Sequence, residues 1–118
     1  MPTARRLFGD ASEQLAEQYL VERGYRILDR QFLTRMGEID LVAEQGGEIV
    51  FVEVKARHTD EFGYPEAAVT KSKLRKIANT AELYLRIKQL TNKPFRIDVV
   101  AIEHQFNPPR ITLIEAVS

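Results

Sequence analysis

Three residues whose types could do metal chemistry stand near one another in the sequence: Asp40, then Glu53 and Lys55. Two carboxylates can hold a hard cation such as Mg²⁺ or Mn²⁺, because these ions prefer oxygen ligands. A lysine ammonium group can help ready a water for attack on a phosphate. An acid followed by Glu-x-Lys therefore supplies the residue types that a magnesium-dependent phosphodiester hydrolase needs.

The chain between these residues predicts a β-hairpin. Glu38–Ala43 alternates acidic and apolar residues, which is typical of a half-buried strand. Ile49–Val54 is nearly all apolar, as expected of a central strand buried on both faces. Gly46-Gly47 suits a two-residue turn because glycine tolerates the positive φ angles that such a turn requires.

That turn would set which residues of the two strands face each other. The opposed pairs would be Gln45 with Glu48, Ala43 with Val50, Val42 with Phe51, Leu41 with Val52, Asp40 with Glu53 and Glu38 with Lys55. Directly opposed Cβ atoms lie ~4.5–5.5 Å apart, where like charges destabilise a sheet. Asp40 and Glu53 would therefore need a cation or a proton between them.

Two alternatives to this metal site remain open. A three-residue loop would shift the register and place Asp40 opposite Val54, and both acids could also simply emerge into solvent. We favour the metal interpretation because Glu53 continues a buried run, and buried charges are normally paired or bound to metal.

Composition predicts one compact domain over residues 1–118, with residues 1–8 as a flexible N-terminal arm. The absence of cysteine excludes disulfides, thiolate nucleophiles and cysteine zinc sites. No apolar run approaches the ~20 residues of a membrane span, and no signal peptide is evident. We expect a cytoplasmic protein that does not bind membranes.

The net charge of zero hides an asymmetry. Residues 55–96 carry a charge of +6, which the remaining residues balance. Four cations crowd the start of a predicted helix: Lys71, Lys73, Arg75 and Lys76. Cations there oppose the helix dipole, so they are poor for stability but suited to gripping a phosphate. A solvated surface cluster without a partner is the alternative.

The pattern of elements predicts an α/β sandwich around one mixed sheet, in the order αβββαββ. The expected elements are a helix over Ala11–Arg23, a strand over Tyr25–Phe32, the hairpin, a helix from the N-cap Thr70 to Leu90, and strands over Phe95–Glu103 and Arg110–Glu115. We expect Leu15, Ala16, Tyr19 and Leu20 to form the buried stripe of the first helix.

Glu13 lies at the edge of this buried stripe, where its side chain could reach a site at the end of the sheet. Asp10 followed three residues later by Glu13 also resembles a helix capping box, and spacing alone does not separate the two interpretations. Asp98 interrupts an apolar strand, which indicates a structural acceptor rather than a metal ligand. His58 and His104 are isolated, and we assign them no catalytic role.

Asp40 with Glu53-Val54-Lys55 resembles the motif of the PD-(D/E)xK nucleases, with Ile39 in place of the proline. Glu13 followed by Gly24-Tyr25 is similar to the archaeal Holliday junction resolvases of that group. A closer resemblance, over nearly the whole chain, is to the YraN-like family of small bacterial proteins. It rests on Gly37-Glu38-Ile39-Asp40-Leu41, Val50-Phe51-Val52-Glu53-Val54-Lys55-Ala56-Arg57, Ala68-Val69-Thr70 and Arg96-Ile97-Asp98-Val99-Val100, among other segments.

The resemblance implies a restriction-endonuclease-like fold and a metal-dependent nuclease acting on DNA, with structured or branched DNA as a natural substrate. It implies Asp40, Glu53 and Glu13 as ligands of Mg²⁺ or Mn²⁺, the Val54 carbonyl as a further ligand, and Lys55 as the residue that orients water. Arg57 and the basic helix start would hold the DNA backbone, and a homodimer would suit a twofold substrate. The alternative is an inactive module of the same fold that binds nucleic acid or a protein partner.

Overall fold

The computed structural model describes residues 4–58 and 69–117, and the side chains among them from residue 11 onward. One five-stranded sheet carries a helix on each face. The elements are α1 (Ala4–Glu22), β1 (Arg26–Thr34), β2 (Gly37–Gln45), β3 (Glu48–Arg57), α2 (Lys71–Ile87), β4 (Phe95–Glu103) and β5 (Arg110–Ile114). No helix in the described ranges is both long and apolar enough to cross a membrane.

The strands lie in the sheet in their sequence order. Neighbouring strands are antiparallel except for β3 and β4, which are parallel. A parallel pair needs a long crossover connection, which here contains α2. The predicted order αβββαββ and the predicted mixed sheet are confirmed.

The sheet has a separate apolar core on each face. Under α1, Ala16 and Leu20 are fully buried against the β2, β3 and β4 side chains Leu41, Ala43, Val50, Val52, Val100 and Ile102. Under α2, the buried residues are Ile77, Ala81, Tyr84 and Leu85, which pack on Ile39, Val42, Ile49, Phe51 and Ile97. Both helices therefore lie fixed against the strands that carry Asp40 and Glu53.

The boundary predicted for α1 was wrong, because the helix begins at Ala4 rather than near Ala11. Its first turns overlap the segment for which we predicted a flexible arm. Asp10 lies inside the helix, so it cannot be the N-cap of a capping box with Glu13. Tyr19 is also outside the α1 core: it is half-buried, with the Arg23 guanidinium 3.3 Å from its ring centroid.

The predicted two-residue hairpin turn is confirmed. Gly46 and Gly47 have φ angles of 61° and 80°, which suit glycine. Gln45 faces Glu48, Val42 faces Phe51 and Leu41 faces Val52, as the two-residue turn required. The three-residue alternative is therefore excluded.

A buried ion pair ties the hairpin to β4. Asp98 is fully buried and accepts hydrogen bonds from Arg96 Nε (3.1 Å), Tyr25 Oη (2.9 Å) and the Ala116 backbone N–H (2.9 Å). Arg96 also donates to Gln45 Oε1 (2.9 Å) and Glu48 Oε1 (3.2 Å), on either side of the turn. Burial and the Asp98 hydrogen bond raise the pKa of Tyr25 to about 12. Asp98 is thus the structural acceptor that the sequence indicated.

Replacing Asp98 should therefore be costly. We expect Asp98→Asn to lower the free energy of unfolding by about 3–5 kcal/mol, because it removes the fully buried charge that pairs with Arg96 and leaves that guanidinium only the half-buried Glu48 as a charged partner. Urea unfolding followed by circular dichroism measures this loss. Asp29→Asn is the matched control, since Asp29 also accepts from a tyrosine (Tyr84 Oη, 2.7 Å) but its side chain is 40% exposed. Equal losses in the two variants would contradict this role for Asp98.

Candidate functional site

The site lies where β2 and β3 separate. Ile39 and Val42 both pack under α2, although residues three apart in a regular strand point to opposite faces. The strand is therefore irregular between them, at Asp40. The backbone pairing of β2 with β3 ends at Leu41–Val52, one residue before Asp40.

Our prediction that the pairing continues through Asp40–Glu53 and Glu38–Lys55 was therefore wrong. The reason is that an Asp40 side-chain oxygen, Oδ2, accepts the hydrogen bond of the Val54 backbone N–H at 2.7 Å. A carboxylate thus takes the place of a backbone acceptor and turns toward β3. The two acids nevertheless lie near each other, because Val54, which donates to Asp40, directly follows Glu53 in the chain. The charge of Glu53 accordingly raises the pKa of Asp40.

Asp40 is held in an environment that disfavours its ionised form. Burial is the largest cause, and the charges of Glu53 and Glu13 add to it, so that the pKa of Asp40 rises to about 8. The hydrogen bond from Val54 acts in the opposite direction but is outweighed. A carboxyl so perturbed beside other acids is typical of a functional site.

Glu53 projects on the α2 side of β3 and is 6% exposed. Burial raises the pKa of Glu53, while the charges of Lys73 and Lys55 lower it. The Lys73 ammonium, from the first turn of α2, lies 3.8 Å from Glu53 Oε1. Glu38 and Glu13 raise the pKa further, so both acids and lysines act on this carboxyl.

Glu13 reaches the site from α1, on the other face of the sheet. Its charge raises the pKa of Asp40, and its Oε2 accepts from Gln31 Nε2 at 2.9 Å. Beside it, a cleft of about 410 Å³ is lined by Glu13, Gln14, Glu17, Arg30, Gln31 and Leu41. With the capping box excluded, the position of Glu13 agrees with the interpretation that it reaches a site at the sheet's end.

The three predicted ligands are close but do not form a ready-made metal cage. Within residues 11–58 and 69–117, whose side chains are described, no group of three or more Asp, Glu or His side chains is arranged to hold a metal ion. Asp40 and Glu53 come together at the gap between β2 and β3, and Glu13 influences both from α1. Their role as ligands stays a prediction.

The four predicted cations at the start of α2 differ in their exposure to solvent. Lys71, Arg75 and Lys76 are exposed, whereas Lys73 is half-buried beside Glu53. Thr70 caps the helix as predicted, accepting from the Lys73 backbone N–H at 3.1 Å. The first turn carries no acid, so this helix end is strongly positive.

Arg57 does not lie with these cations. Its side chain is only 12% exposed and its Nη2 is 3.3 Å from Glu103 Oε2. The structure therefore offers little of this guanidinium to a DNA backbone, and its predicted contact there is the least supported of the set. The reason is that β4 places Glu103 directly beside Arg57 in the parallel register.

The sequence analysis missed the contacts that two residues make in the site. Lys73 was counted among the phosphate-binding cations, but it contacts the carboxyl site itself. Gln31 was not considered at all, although it holds Glu13. Neither contact leaves a signal in sequence spacing, since one depends on how α2 packs over β3 and the other on how α1 packs over β1.

The raised pKa of Asp40 makes stability depend on pH. Between about pH 4, where an unfolded aspartate titrates, and pH 8, the folded protein keeps a proton that the unfolded chain loses. Stability should therefore fall as pH rises through this range, by up to about 1.4 kcal/mol per unit.

Asp40→Asn removes the ionisable group, so it should flatten this dependence and stabilise the protein at pH 8. The amide oxygen of the variant can still accept the hydrogen bond of the Val54 N–H. Urea unfolding at a series of pH values measures the slope. Glu44→Gln is the control, since Arg26 lowers the pKa of that half-buried acid, opposite to the shift of Asp40. An unchanged slope in Asp40→Asn would show that Asp40 ionises normally.

Comparison with known proteins identifies the chain's relatives. A profile of the uncharacterised protein family UPF0102 matches residues 12–102, which include Glu13, Asp40, Glu53 and Lys55. A UPF0102 protein of Vibrio campbellii is 48% identical over 101 residues, covering 84% of this chain and 83% of that protein. One from Syntrophus aciditrophicus is 44% identical over 107 residues, covering 91% and 84%.

Among solved structures, Pyrococcus furiosus SfsA in complex with Ca²⁺ aligns with a TM-score of 0.42 and 17% identity. The alignment covers 94% of this chain but only 63% of SfsA. This likeness is too distant to carry an argument about the site. The family match and the sequence relatives, in contrast, cover most of the chain and confirm the YraN-like resemblance: the protein belongs to the UPF0102 family.

Proposed function

We propose that this protein is a metal-dependent nuclease that hydrolyses phosphodiester bonds in DNA. The observation that carries the proposal is the pair formed by half-buried Asp40 and buried Glu53, set beside lysines at the gap between β2 and β3. Burial raises the pKa of both carboxyls; the charge of Glu53 adds to this at Asp40, and the charges of Glu38 and Glu13 add to it at Glu53. A structural role alone does not explain why two acids share this position.

The residues present fit a hard divalent cation. Asp40, Glu53 and the Val54 carbonyl would offer only oxygen ligands, as Mg²⁺ and Mn²⁺ prefer. A cation between the acids would favour the ionised forms that burial disfavours. Mg²⁺ is commonly held by one or two carboxylates together with water and substrate phosphate, so a preformed cage of three acids is not required. Glu13 would join directly or through water.

The chain's own residues would orient the attacking water and hold the DNA backbone. The metal, when bound, would act as a Lewis acid on the phosphate. Lys55, two residues beyond Glu53 on the same face of β3, would orient the attacking water and offset negative charge in the transition state. The positive start of α2 would hold the phosphate backbone through Lys71, Arg75 and Lys76 and through free backbone N–H groups.

A second function is favoured by the Lys73–Glu53 contact of 3.8 Å. Here an ammonium group already partly neutralises the carboxyl that a metal would need. A module that binds nucleic acid or a protein partner without turnover could use Lys73 permanently in this way. The two functions differ in one respect. In the nuclease, the Lys73–Glu53 contact must break so that Glu53 can bind a metal, whereas in the binding module the contact can persist.

Cleavage assays with Lys55→Ala distinguish these functions. We expect the wild type to cut at least one of labelled linear, flapped or four-way-junction DNA in the presence of Mg²⁺ or Mn²⁺. We expect Lys55→Ala to lose at least ~100-fold in rate, the scale of losing a charge-stabilising group. Lys93→Ala, remote in sequence and paired with Glu44, is the control for lost surface charge. No cleavage by the wild type would favour the binding module.

Substitutions at the two ends of α2 test the phosphate surface. Lys71→Ala with Lys76→Ala should weaken DNA binding and reduce the slope of log affinity against log salt by about 0.9 for each lost phosphate contact. The matched control is Arg86→Ala with Lys88→Ala, which removes the same charge from the far end of the helix. Fluorescence anisotropy over a salt series measures both. Equal effects at the two ends would contradict the assignment of the surface to the start of α2.

A homodimer stays a prediction, as does the DNA class. A twofold enzyme would suit a twofold substrate such as a four-way junction. Sedimentation velocity with and without junction DNA measures the stoichiometry directly.

A further inference from the structure

Gln31 has an unusual backbone for a residue inside a strand. Its φ is 51°, in the left-handed region that residues other than glycine rarely adopt. It lies within β1 between Arg30 and Phe32, which face Leu41 and Ile39 of β2. Gln31 is therefore opposite Asp40, at the point where β2 is irregular.

The other two described non-glycine residues with positive φ have structural explanations. Gln89 directly follows the C-cap of α2, and its N–H and that of Leu90 donate to Arg86 O and Leu85 O, the ordinary helix-ending motif. Ala116 donates its N–H to buried Asp98. Gln31 lies at no helix end or chain turn, and strained residues of this kind concentrate at functional sites.

The side chain of Gln31 indicates what the strain accomplishes. Its amide donates to Glu13 Oε2 at 2.9 Å, and Gln31 itself lies opposite Asp40 in the pairing of β1 with β2, so this hydrogen bond holds Glu13 near Asp40. Gln31 and Glu13 both line the cleft beside the site. Without Gln31, an exposed amide partner would be lost and the Glu13 side chain would be free to turn from Asp40 toward solvent.

We propose that Gln31 is a positioning residue: its left-handed backbone aims the side-chain amide at Glu13 and so holds that carboxylate against Asp40. The consequence for metal binding rests on the proposed nuclease function, whereas the positioning itself does not. Groups that orient a metal ligand in this way typically contribute 10–100-fold to metal affinity.

Gln31→Gly distinguishes the effect of the Gln31 side-chain amide on Glu13 from the effect of backbone strain at this position. Glycine accepts the left-handed backbone, so the metal-free variant should melt at the same temperature as the wild type or a few degrees higher. It has no amide, so Glu13 should lose its fixed orientation. Gln31→Asn is a second variant, because asparagine also tolerates this backbone but its shorter side chain does not reach as far. Gln89→Gly is the matched control, with a residue of the same type at φ 57° away from the site.

The first measurement needs no metal: side-chain NMR couplings of Glu13. We expect one χ1 rotamer in the wild type and in Gln89→Gly, and averaged rotamers in Gln31→Gly and Gln31→Asn. A single, unchanged rotamer in all four proteins would overturn the proposal.

The second measurement is the affinity for Mn²⁺ by calorimetry. We expect a loss of about 10-fold or more in both Gln31 variants and none in Gln89→Gly. Unchanged affinity in the Gln31 variants would overturn the role of Gln31 in the metal site. If the wild type bound no metal while the NMR result held, the proposed nuclease function would fail and the positioning of Glu13 would stand.

Discussion

The site depends on the hydrogen bond between the Val54 N–H and the Asp40 carboxyl. It replaces the next rung of the β2–β3 pairing, and so it ends that pairing at Leu41–Val52 and opens a gap between two central strands. A donor buried between strands must be satisfied, and here a side chain rather than a carbonyl satisfies it. The consequence is that an acid is drawn into the sheet, where burial and Glu53 keep its pKa near 8.

The surrounding fold keeps these repelling groups together. Two apolar cores, one under each helix, fix α1 and α2 against the sheet, and the buried Arg96–Asp98 pair fixes the turn end of the hairpin. Glu13 then approaches from the α1 face and Lys73 from the α2 face. Stability is thus concentrated away from the gap, while the gap itself holds charges that are unfavourable without a ligand or a proton.

Lys73 and a divalent cation would compete for the same carboxyl. The ammonium lies 3.8 Å from Glu53 and counteracts the repulsion among the acids, which helps to explain how the site can be stable without metal. A metal of higher charge would displace this contact and release Lys73 toward the phosphate surface formed by Lys71, Arg75 and Lys76. The proposed nuclease and the proposed binding module thus differ in which cation occupies one position.

Local sequence determined the elements and the hairpin register. Periodicity and the Gly46-Gly47 pair suffice for these, because turn geometry and side-chain alternation act over a few residues. The predicted register placed Asp40 near Glu53, although the structure brings them together through the Asp40–Val54 hydrogen bond instead, and the residue types pointed to metal chemistry. Only the tertiary structure decided that the ladder breaks at Asp40, that α1 begins at Ala4, that Arg57 is buried against Glu103, and that Lys73 and Gln31 belong to the site. These depend on how helices and neighbouring strands pack across the sheet, and contacts between residues distant in sequence leave no local pattern to read.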